Sequence, residues 1–153
     1  MVAPLSIIGS IVLVCASLAA FIAFTRWRDH RIQQLYANTK QDGLRAHSTC
    51  MIRDGWLHCP GVARVANDTL QIHSIFNKTR AIPLSQVAVI REETGRCGSS
   101  GGYEWRGKQV FHIDTPETTN LAIGVKDAEA WRKALMPHAG GTIGWRIHGC
   151  RSG

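Results

Sequence analysis

The stretch LQIHSIFNKTRAIPLSQVAVIREE, residues 70–93, decides the fold. From Thr69 to Phe76 the side chains alternate, placing Leu70, Ile72, Ser74 and Phe76 on one face. A period of two belongs to a strand with one side against a core. Asn77-Lys78 offers turn residues. Ala81–Leu84 and Val87–Ile90 are two further short strands. Pro83 cannot donate to a ladder, so it marks a bend or a sheet edge.

Reading outward, the same pattern continues on both sides. Upstream, Cys50-Met51-Ile52-Arg53 and Trp56-Leu57-His58-Cys59 flank Asp54-Gly55. Asp-Gly between two alternating runs signals a hairpin, because a type I′ turn needs positive φ at both centres. With Asp54-Gly55 at the centres, Arg53 faces Trp56 and Cys50 faces Cys59. Downstream, Thr94–Gly102 (TGRCGSSGG) reads as a loop, and Val110–Asp114 and Leu121–Val125 as strands. Asp127 then caps a helix through AEAWRKALMPH, with Ala128, Trp131 and Leu135 on one face. Glu129 in its first turn and Arg132 and Lys133 later suit the helix dipole. The fold class expected is mainly β: six or seven antiparallel strands closed by one C-terminal helix.

This order, together with LQIHSIFNKTRAIPLSQVAVIREE (70–93), WRGKQVFHIDT (105–115) and LAIGVKDAEAWRKAL (121–135), resembles the bacterial pleckstrin-homology-like (PH-like, GRAM-related) domains. The resemblance covers about residues 43–138. It implies a bent, partly open antiparallel barrel with the helix plugging one end. It also implies a module that binds lipids or proteins and is not an enzyme, often found beside membrane helices. The family's phosphoinositide site gathers several Lys and Arg around the first hairpin. Here Arg45, Arg53 and Arg64 are spread apart, so no headgroup site is carried onto them.

The N-terminus is a different material. Residues 1–25 carry no charged side chain, although the 153-residue chain holds 18 basic and 11 acidic ones for a net +7. Leu5–Phe24 (LSIIGSIVLVCASLAAFIAF) would rise about 30 Å as a helix, one hydrocarbon thickness. Arg26, Trp27, Arg28 and Arg31 follow at once and suit the headgroup layer, so they are the expected membrane-interface residues. This positive flank places the C-terminal part in the cytoplasm and the short N-terminus outside. The alternative is a cleaved signal and a secreted protein, although no basic segment precedes the apolar run. Thr25–Lys40 continues as a helix with Ile32, Leu35 and Tyr36 in one stripe, read as a spacer between bilayer and domain. The organisation expected is a transmembrane anchor over 1–25, a juxtamembrane helix or linker over 26–42, the PH-like domain over 43–138 and a flexible tail over 139–153.

Charge and chemistry narrow the function. The cations are spread thinly, with no Lys/Arg run, so nucleic acid is not an expected partner. Cys15, Cys50, Cys59, Cys97 and Cys150 form no CxxC. Cys50 and Cys59 share one strand face while His58 shares the other with Met51, so the hairpin makes no zinc set. The Cys50/Cys59 pair remains the one centre for an alternative reading as a thiol-redox protein or enzyme. Glu92-Glu93 reads as a solvated strand end. No catalytic, cofactor or metal site is expected. The expected partners are the lipid bilayer and a protein partner or a second copy of the chain.

Overall fold

The computed structural model describes residues 3–40, 43–55, 57–94, 108–135 and 146–148. Helix α1 (Ala3–Thr39) is unbroken for 37 residues and takes in both the apolar run and the juxtamembrane stretch. Seven antiparallel strands follow: β1 (Ala46–Asp54), β2 (Leu57–Ala66), β3 (Thr69–Ser74), β4 (Thr79–Pro83), β5 (Val89–Thr94), β6 (Gln109–Thr115) and β7 (Thr118–Val125). Helix α2 (Ala128–Leu135) closes the series. The sheet order is β4-β3-β2-β1-β7-β6-β5, curled into a half-barrel. The β1–β7 pairing joins the two meanders. This is the mainly β arrangement, with one C-terminal helix, that the sequence implied. Arg146–His148, in the segment read as a tail, adds β8 in parallel to β5. The loop over 95–102, Cys97, Trp145 and Cys150 lie outside the described residues.

One core fills the concave side. Leu70, Val65, Ile90, Phe111, Ile113, Ile123 and Val125 are buried there, with Trp131 and Leu135 of α2 as the plug. Asp127 caps α2 as expected, its Oδ1 accepting from the Ala130 N–H at 3.2 Å. Eight residues make a marginal helix alone, so the burial of Trp131, Ala134 and Leu135 holds it. Trp131 Nε1 also donates to Ser48 Oγ on β1 at 2.9 Å. Pro83 ends β4, the edge strand, as its missing donor demands.

Three sequence expectations change. The first hairpin is in register two residues later: Arg53 pairs with His58, Ile52 with Cys59 and Cys50 with Gly61. Cys50 therefore does not face Cys59, though both remain on the inner face because a shift of two preserves the alternation. Gly55, at φ +63, comes after the last paired residue of β1, Asp54, which is itself bonded into the ladder opposite Leu57. The turn in which both centres are left-handed is Asn67-Asp68, at φ +47 and +59, between β2 and β3. Second, the run read as Trp56–Cys59 is longer: β2 passes through Pro60-Gly61 to Ala66. Gly61 is needed there: a Cβ would collide with the His73 carbonyl oxygen and Ile52 Cδ1. Third, β3 ends at Ser74. The turn flips the alternation, so Ile75 is buried and Phe76, expected on the inner face, is 50% exposed.

Candidate functional site

The last two turns of α1 are fastened to the sheet. Thr39 is buried, and its Oγ1 donates to the Leu35 carbonyl at 2.6 Å. That leaves His47 Nε2, 2.9 Å away, as the donor to the same hydroxyl. Arg64 on β2 donates from Nη1 to the Thr39 carbonyl at 2.7 Å and from Nε to Gln71 Oε1 at 2.8 Å. A cation on a terminal carbonyl meets the negative end of the helix dipole and satisfies an orphan acceptor. Tyr36 stacks on His47 with centroids 4.1 Å apart. One turn and a half lower, Arg31 Nη2 donates to Asn77 Oδ1 in the β3–β4 turn. The spacer expected from sequence is therefore a clamped strut. A groove of about 380 Å³ runs along this seam, lined by Ile32, Tyr36, His47, Ser48, Thr49 and Lys126.

The expected interface residues sit along the helix just before the clamp. Arg26 is exposed, and Trp27 is 46% exposed with its ring 5.8 Å from that of Phe24. Arg28 pairs with its neighbour Asp29 at 2.9 Å. Arg31 alone reaches the domain. By length and composition α1 suffices to cross a membrane, and its apolar window is bare of protein contacts.

The half-barrel has an open mouth at the end away from α2. A cleft of about 280 Å³ opens there, lined by Ile52, Asp54, Cys59, Lys78, Arg80 and Leu121. Arg80 and Asp54 pair across it at 3.3 Å. Cys59 is part of this lining; it and Cys50 are both buried free thiols. Burial pushes the Cys50 thiol up to about 12. Burial also raises Cys59, against a lowering hydrogen bond from Ser74. Thiolate chemistry needs the opposite shift. Among the described residues no group of three His, Cys, Asp or Glu side chains could hold a metal.

Glu92, read as a solvated strand end, is instead buried. Its carboxylate accepts from Arg132 Nε at 2.7 Å and from Arg132 Nη2, a bidentate pair that pins α2 to β5. The sequence carries Arg132 as a dipole-suited helix cation; its partner is 40 residues away, so only the fold reveals the pairing. Glu93, on the outer face, takes His112 Nε2 at 3.0 Å, and Arg53 Nη2 lies 3.3 Å from His112 Nδ1.

Three histidines set a pH response. Burial lowers His47, with Arg64 adding to the effect; burial and Arg64 lower His73; burial lowers His112 despite its Glu93 hydrogen bond. Each takes a proton more readily when unfolded, so unfolding is favoured by acid. The stabilisation is whole above about pH 6.5, the ordinary histidine value, and is lost as pH falls through the lowered folded values. Melting temperature is expected to drop between about pH 7 and 5. Thermal melts across that range check this, and a melting point that climbs on acidification contradicts it.

No family model and no curated protein matches the chain. Among solved structures, a chain of the Spt16D Pob3N heterodimer is similar at 14% identity and a TM-score of 0.48, over 69% of this chain. The match covers 57% of that chain. The strand order itself defines the class: a mainly β half-barrel, closed by α2 and carried on one long apolar helix.

Proposed function

We propose that the chain is a single-pass protein of the cytoplasmic membrane, with its N-terminus outside and its PH-like module in the cytosol. In this reading the module is non-catalytic and associates with a protein partner, or with a second copy, at the bilayer. One observation carries it: a single helix is bare and apolar over its first half and clamped to a folded domain over its second. Arg26, Arg28 and Arg31 on the domain side support the orientation. The resemblance of residues 43–138 to bacterial PH-like domains supports the binding role. The edge of β4 supplies a surface, because a partner strand can add to a ladder that has room on one side. Confinement to two dimensions raises the effective concentration of such a partner.

The test is intact mass combined with protease added outside sealed cells that express the full chain. The expected result is an untruncated chain in the membrane fraction with the C-terminal domain protected. A mature chain lacking its apolar segment, or a domain digested from outside, overturns the reading. Crosslinking in intact membranes then identifies the bound protein.

A further inference from the structure

The two ends of the clamp fix which way the half-barrel faces. The helix passes Asn77 at Arg31 and reaches Arg64 eight residues later, at Thr39. That is a climb of about 12 Å at 1.5 Å per residue. Over the same height β3 runs the opposite way, from Thr69 near the Arg64–Gln71 pair down to Ser74 and the β3–β4 turn. Among the hydrogen bonds of the described residues, the one to this turn is the domain contact lowest on α1, closest to its apolar half. Arg31 lies only about 10 Å past Phe24, and helical side chains lean toward the N-terminus, which lowers the contact further.

That turn carries an apolar side chain with no role in the core. Hydrogen bonds build it: Ser74 N–H to the Lys78 carbonyl at 2.8 Å, and Asn77 N–H to the Ser74 carbonyl at 3.1 Å. Asn77 takes φ +62, a conformation asparagine tolerates. The result holds Ile75 inward and Phe76 outward. Among the described residues, every other large apolar side chain of comparable exposure lies on α1. Lys78 follows Phe76 by two residues in the same turn; Arg31 meets that turn through Asn77, and Arg26 lies about 7.5 Å further toward the apolar half of the helix. Asp54 is matched by Arg80 across the mouth, and Glu117 is the acid of the neighbouring β6–β7 turn.

We propose that the β3–β4 turn is a second membrane contact: Phe76 inserts into the interfacial layer of the bilayer that α1 crosses, with Lys78 against anionic lipid. This rests on the membrane-spanning reading of α1. The occupant is the lipid surface because an aromatic ring flanked by cations suits that layer and because the turn is continuous with the anchor. The mouth of the half-barrel then faces the bilayer, and α2 faces away from it.

The experiment places the photo-crosslinking residue benzoyl-phenylalanine singly at positions 76, 18 and 129 of the full chain. The protein is reconstituted in phosphatidylcholine–phosphatidylglycerol vesicles, and irradiated adducts are read by mass spectrometry. Position 76 keeps a ring on an exposed turn, and a thermal melt matching that of the unmodified chain confirms folding. Lipid adducts are expected at 76 and 18 and none at 129, on the exposed face of α2. Adducts at 18 without any at 76 overturn the second contact and leave the anchor standing. Absence of lipid at 18 overturns the anchor, and the inference with it. A protein adduct at 76 in place of lipid also overturns the inference.

Discussion

Replacing Trp131 with alanine is expected to lower the stability of the domain by about 3–5 kcal/mol. Trp131 is 1% exposed and is the largest fully buried side chain among the described residues. Its removal leaves a cavity between α2 and the sheet, which the neighbouring strands can close only in part. It also strands Ser48 Oγ without the indole donor. Small domains hold only about 5–15 kcal/mol in total, so this one change uses a large share of it. The melting temperature is expected to fall by roughly 15–30 °C, followed by circular dichroism on the full chain in vesicles or detergent. Trp131→Phe keeps most of the packing but not the hydrogen bond, and is expected to cost about 1–2 kcal/mol. A Trp131→Ala protein that melts within a few degrees of the parent would falsify the description of α2 as the plug.

Arg132→Met is the second large effect. It leaves the Glu92 carboxylate, 6% exposed, beneath α2 with no partner. Breaking a buried pair from one side costs about 3–5 kcal/mol. Arg132 is 39% exposed, so water already screens its end and the expected loss is about 2–4 kcal/mol. The informative measurement is a double-mutant cycle. Removing both charges together, as Arg132→Met with Glu92→Leu, is expected to regain most of the loss, because no buried charge then remains uncompensated. Equal and additive losses in the two single variants and the double would show that the pair does not act as a unit.

Much of this structure was legible in the residues, for reasons that can be named. Leu70, Ile72 and Ser74 alternate because β3 has one face on the core. Asp127 and Trp131 announce α2 because capping and burial are both local to a short helix. Pro83 marks an edge because it lacks a donor. The apolar run announces α1 by its length alone. What stayed hidden depends on long-range geometry. Asp54-Gly55 identifies the first hairpin, but the choice between two turn positions is made by pairing with β7 as well as β2. The hairpin run read to Cys59 continues through Pro60-Gly61, and Gly61 is required there because β3 comes too close to admit a Cβ. Phe76 follows the alternation by one step too many, since nothing in LQIHSIF says that the ladder stops at Ser74. The clamp at Arg64 left no local signal, because its acceptor at Thr39 is 25 residues earlier.

The guanidinium seated on the end of α1 has a mechanical result. A joint held at Thr39 and braced again at Arg31 opposes swivel between shaft and load. In the proposed membrane setting, the azimuth of the shaft and the compass bearing of the β4 edge become one variable. Whatever neighbour grips the hydrophobic stem selects, by its angle of approach, which companions that edge can meet.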